Sequence, residues 1–126
     1  MDPQAPLVVF LHSAGWAARC QAATVAVTAA ALGDQVTVAL AFEPLRLWTE
    51  GRFDEGAPPA AAGAKLGSLA GALDEARREL GLRVVACETL VRVEGLDPGA
   101  VAPALDELTT LPSLWRLAQA GRALAF

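Results

Sequence analysis

The sequence predicts an α/β fold, a parallel sheet with helices on both of its faces. Three observations carry this. Apolar runs of strand length recur at 7–11, 36–42 and 83–86. Between them lie longer stretches whose apolar residues return every three or four positions. Glycines close those stretches, at Gly33 and Gly81. Strands alternating with helices imply parallel pairing and right-handed crossovers, with the working surface at the carboxyl edge of the strands.

The elements follow in order along the chain. Leu7-Val8-Val9-Phe10-Leu11 reads as a strand buried on both faces. His12 to Gly15 is a turn, with Ser13 placed to cap the next helix. From Trp16 to about Leu32 the pattern is helical. Trp16, Cys20, Ala23, Val27 and Ala30 share the face expected to pack on the sheet. Val36 to Phe42 is a second buried strand, and 45–49 a short helix with Pro44 near its first turn. The stretch 51–63, rich in Gly, Pro and Ala, is a long loop, which makes it mobile or functional.

A helix over about 66–80 turns Leu69, Leu73, Ala76 and Leu80 inward. The third strand, 83–86, leads to Cys87. A short helix over 88–93 follows, then a turn or helix through Ala104. The stretch 105–111 is ambiguous, with room for a short strand. Residues 112–120 are helical, and 123–126 form a last strand. No repeat or linker divides the chain, so 1–126 is read as a single domain.

Composition narrows the function classes. Of 126 residues, 54% are hydrophobic and 19% charged, which supports a packed core and excludes disorder. The net charge is −4 and the only lysine is Lys65. Without a basic stripe, nucleic acid is not an expected partner. The apolar runs are too short to cross a membrane, and the amino terminus lacks a signal peptide's basic region. The expected location is the cytoplasm, where Cys20 and Cys87 would be free thiols. One histidine and two cysteines without paired spacing give no metal site.

Cys87 is the main candidate for chemistry. A thiol at the carboxyl end of a buried strand, with a helix starting beyond it, is placed to be stabilised as a thiolate. The alternative is a small buried core residue. Cys20, on the inward helix face, reads as core, with a resolving role toward Cys87 left open. His12 is a base or hydrogen-bond donor at the same edge, or a plain turn residue. Ser13-Ala14-Gly15 offers backbone N–H groups to an anion but matches neither the P-loop nor the dinucleotide fingerprint. Glu43, Glu50, Asp54 and Glu55 read as an exposed acidic rim. Leu45, Leu47, Trp48 and Phe53 pack on the core or on another subunit.

Three stretches resemble the DsrE/DsrF-like family of small sulfur-relay proteins. One is the first strand ending in His12-Ser13 and running into an alanine-rich helix. Another is Val36 to Phe42 followed by Glu43-Pro44-Leu45-Arg46-Leu47-Trp48-Thr49-Glu50-Gly51. The third, the most specific, is Gly81-Leu82-Arg83-Val84-Val85-Ala86-Cys87 with Gly95 eight residues on. The last helix and strand match as well. Where family members often have Ser and Met after the cysteine, this chain has Thr89, Leu90 and Val91.

The resemblance implies a three-layer α/β/α sandwich with a mainly parallel five-stranded sheet. It also implies assembly as trimers or hexamers. Cys87 would accept a persulfide sulfur from a protein donor and pass it to a protein acceptor, a sulfurtransferase-like role needing no cofactor. His12, Ser13, Glu88 and Thr89 would border that site. The competing expectation is a non-enzymatic oligomeric binding or assembly module of the same fold.

Overall fold

The computed structural model describes residues 5–126. Five strands form one sheet: β1 (Pro6–Leu11), β2 (Gln35–Leu40), β3 (Arg83–Cys87), β4 (Glu107–Thr109) and β5 (Arg122–Ala125). Their order is β4-β3-β2-β1-β5, and every adjacent pair is parallel. The helices are α1 (Trp16–Ala31), α2 (Phe42–Thr49), α3 (Pro59–Gly63), α4 (Leu69–Leu80), α5 (Glu88–Val93), α6 (Pro98–Val101) and α7 (Leu111–Gln119). The result is a three-layer α/β/α sandwich with an all-parallel five-stranded sheet. Among the described residues, no helix is long and apolar enough to cross a membrane.

The strand order explains the layers. From β1 to β4 the chain steps in one direction, so right-handed crossovers keep α1, α4, α5 and α6 on one face. It then returns across the sheet to β5, which puts α7 on the other face. The first face holds the large core, where α1 and α4 cover Leu7, Val9, Val38 and Val84 together with Leu45 and Trp48 of α2. On the second face α7 covers Val8, Ala39 and Val85 with Leu114 and Ala118.

Several expectations change. The buried face of α1 is Arg19, Ala22, Ala23, Ala26 and Ala30, while Trp16, Cys20 and Val27 pack at its margin. Gly15, not Ser13, precedes that helix, and it supplies no side-chain cap. Phe42 does not end β2 but opens α2, with φ +55°, a left-handed value that costs a non-glycine residue strain. Leu80 is exposed at the end of α4, which begins at Leu69 rather than Leu66.

The stretch 51–63 is not one long loop. Turns at its start are clamped to the core, and α3 forms at its end. The clamp is Arg19, only 1% exposed. Its Nε donates to the Phe53 carbonyl at 2.8 Å, Nη2 to the Glu55 carbonyl, and Nη1 to Glu43 Oε1 at 3.1 Å. Its guanidinium also lies over the Phe53 ring, 5.9 Å from the centroid. Asp54 accepts from the Leu69 N–H, from the Ala70 N–H at 3.3 Å and from the Ser68 hydroxyl at 2.8 Å. Ser68 in turn caps α4 by accepting from the Gly71 N–H at 2.9 Å.

The expected acidic rim is therefore not free. Asp54 and Glu43 hold backbone ends, and Glu50 and Glu55 pair with Arg52 at 2.6 and 2.7 Å. Leu45, Leu47, Trp48 and Phe53 are buried within this chain, so they are core and not a subunit contact.

Candidate functional site

Residue alternation in β3 decides which way Cys87 faces. Val84 and Ala86 join the core under α1 and α4, and Val85 joins the cluster under α7. Cys87, two residues beyond Val85, takes the α7 side. Among the described residues that side has α7 alone over the five strands, and its carboxyl end stays open. Two cavities meet there, of about 470 and 210 Å³, and Cys87, Leu90 and Leu111 line both.

The larger opening is polar at its rim. Glu88, Thr89 and Arg92 come from α5, and Thr109 and Thr110 from the end of β4. Arg92 donates to Glu88 Oε1 at 3.0 Å, one turn away on the helix. The smaller opening is apolar. Phe10, Ala39, Ala41, Phe42 and Leu114 wall it, and His12 stands at its end. The strained Phe42 is a wall residue here, where the chain turns from β2 into α2.

Cys87 is 7% exposed, a shielded thiol at the seam of two openings. It occupies the cap position of α5, yet its sulfur accepts no capping hydrogen bond from that helix. The helix is six residues long. The expected stabilisation of a thiolate by its first N–H groups therefore has no hydrogen bond behind it.

Four of the five residues singled out by sequence lie along this groove: Cys87, His12, Glu88 and Thr89. Ser13 does not line it. Its N–H donates to the Phe126 carbonyl at 3.1 Å, beside His12 N–H at 2.9 Å. The Gly15 N–H donates to Glu43 Oε1 at 3.0 Å. The amides of Ser13 and Gly15 in the turn after β1 are thus engaged within the chain rather than free to cradle an anion together. Cys20 packs against the core on the opposite face of the sheet from Cys87, so the two cannot form a resolving pair within one chain.

Sequence reasoning missed the groove's other wall, Thr109 to Pro112. Those residues reach Cys87 only because β4 lies beside β3, pairing Cys87 with Thr109. Among the described residues, no three His, Cys, Asp or Glu side chains cluster as metal ligands. No family model matches the chain, and no curated protein matches it.

Proposed function

We propose that this chain is a DsrE/DsrF-like sulfur-relay protein of the cytoplasm in which Cys87 carries the sulfur. The observation that supports this most is the position of Cys87, shielded from bulk water yet bordering both openings of one groove. A persulfide is reactive, and a site that limits water while leaving one approach open protects it between partners.

The transfer balances without an outside oxidant. The Cys87 thiolate attacks the outer sulfur of a donor protein's persulfide. A new S–S bond forms at Cys87, the donor's S–S bond breaks, and the donor leaves as a thiolate. The reverse sequence hands the sulfur to an acceptor protein. His12, the sequence's only histidine, borders the same groove and is the candidate base for the thiol proton. Thr89 and Glu88 supply polar contacts at the rim. No cofactor enters the scheme.

Incubation with a cysteine desulfurase and cysteine should add one sulfur atom to the protein, read by mass spectrometry. The Cys20→Ser variant should gain it and Cys87→Ser should not. Equal gain in Cys87→Ser overturns the assignment.

The low exposure of Cys87 and its missing capping bond favour a second reading, a non-enzymatic binding or assembly module. A Cys87 that resists iodoacetamide in the native protein but reacts once unfolded would support that reading instead.

A further inference from the structure

The sheet has two edges, and among the described residues the β4 edge is the more heavily guarded. β4 is three residues long, its Glu107 pairs with Arg83, and Asp106 just before it is held by Arg77. Short length and charge are common protections of an edge. β5 has neither proline nor acid, and all four of its residues are exposed. No acidic residue occurs from Leu108 to Phe126.

The ladder shows which backbone groups of β5 are free. The Phe126 N–H donates to the Phe10 carbonyl at 2.7 Å, and the Phe126 carbonyl accepts from the His12 N–H at 2.9 Å. In a parallel ladder the N–H and C=O of one residue turn to the same neighbour, and the next residue turns the other way. Arg122, Leu124 and Phe126 therefore bond toward β1. The groups of Ala123 and Ala125 point outward, where the described residues supply no strand. Gly121 cannot extend this row, because its N–H is taken by the Ala118 carbonyl at 3.1 Å.

We propose that a second copy of this chain pairs with β5 edge to edge, antiparallel, about a two-fold axis at Leu124. In this register Ala123 meets the second copy's Ala125 and Ala125 its Ala123, giving four backbone hydrogen bonds. Leu124, 42% exposed, meets its own counterpart in a close pair with Cα atoms about 4.5 Å apart. Arg122 comes opposite the second copy's Phe126. The two Arg122 residues lie four positions apart along the strands, about 13 Å, beyond the screening length of physiological salt.

The second face adds to the seam. Ser113 and Leu117 of α7 border a cleft with Arg83 and Glu107, toward β3 and β4. The opposite flank of α7 carries Trp115, 58% exposed. Ala123 lies in register with Val8 and Ala125 with Phe10, so both alanines sit on this same face of the sheet as α7.

The partner is a second copy because the seam needs a strand with free groups on alternate residues, an apolar residue between them and no acid. This chain carries that strand, and a two-fold axis makes it self-complementary. The contact is small, below about 1,200 Å² in total, which makes the pair concentration-dependent. It stands independently of any role for Cys87.

Sedimentation over a concentration series should move the mass from 13.0 kDa toward twice that value. Ala125→Pro deletes an outward N–H and leaves the β1 ladder intact, so it should hold the chain monomeric with unchanged circular dichroism. In a Cys20→Ser, Cys87→Ser background, Leu124→Cys should form a linked dimer under mild oxidation. Leu80→Cys, at 44% exposure on α4, should not. A wild type that stays monomeric at every concentration overturns the proposal. So does an oligomer that survives Ala125→Pro, or a Leu124→Cys that links no faster than Leu80→Cys. Should Ala125→Pro fail to fold, the cysteine pair decides alone.

Discussion

On one face of the sheet, α1 and α4 press β1, β2 and β3 into a continuous core that reaches α2, α5 and α6. On the other, α7 alone seals a small cluster and leaves the carboxyl end open beside Cys87. The closed face ties its connections down with charged side chains: Arg19 on the 53–55 turn, Asp54 on α4, Arg77 on Asp106. Around the thiol the walls are mostly apolar, and the ion pair described at the rim, Arg92 with Glu88, is exposed. Buried charge needs partners from several elements, so it stiffens whatever it touches. A thiol that must be reached belongs where such ties are few.

The largest expected effect lies on the closed face. Arg19→Met keeps most of the volume but removes the donors to the Phe53 and Glu55 carbonyls. It also leaves Glu43 without its cation. Loss of a buried, multiply bonded cation should cost about 3 kcal/mol, lowering Tm by roughly 10 °C. A cost under about 1 kcal/mol would mean that the Phe53 ring alone holds the turn.

Arg19 also marks where the sequence is silent. Four of the five strands and the longer helices are legible because period and glycine punctuation are local signals, while β4 is three residues inside a stretch with no clear period. A guanidinium bonded to carbonyls 34 and 36 positions away leaves no local trace. The face of α1 was misjudged for a related reason. Alanines surround that helix, so no polar side stands out, and the margin residues Trp16, Cys20 and Val27 look like its center. At the site, Cys87, His12, Glu88 and Thr89 were legible because all follow strand ends. Thr109 to Pro112 were not, since only the placement of β4 beside β3 brings them in.

A smaller effect tests the ties of the closed face through pH. Asp106 accepts from Arg77 Nε at 3.0 Å and Nη2 at 2.8 Å, and from the Val84 N–H at 2.7 Å. Burial alone would raise its carboxyl. The hydrogen bonds from Arg77 and Val84 outweigh burial and hold it below the usual carboxylate range. A carboxyl depressed in the folded state stabilises fully above its unfolded value, near pH 4, and that gain fades as pH falls through the folded value. Asp106→Asn should cost about 1–2 kcal/mol at neutral pH, since the pair is partly open to solvent. Below about pH 4 the difference from wild type should shrink. Unfolding curves from pH 7 to 2 check this, and a constant difference would assign the loss to shape rather than charge.

The smallest stability change should come from the open face, with the largest change in access. Leu111 is 55% exposed and lines both openings beside Cys87. Truncating an exposed side chain costs little, so Leu111→Ala should lower stability by less than about 0.5 kcal/mol. It also removes the side chain between the polar and apolar openings, and iodoacetamide should then label native Cys87 several-fold faster. Cys20, on the other face, should label at the wild-type rate. If Cys87 labelling does not change, Leu111 does not limit access. The thiol is then reached from the polar rim at Thr89 and Thr110, and the same substitution at Thr110 becomes the informative one.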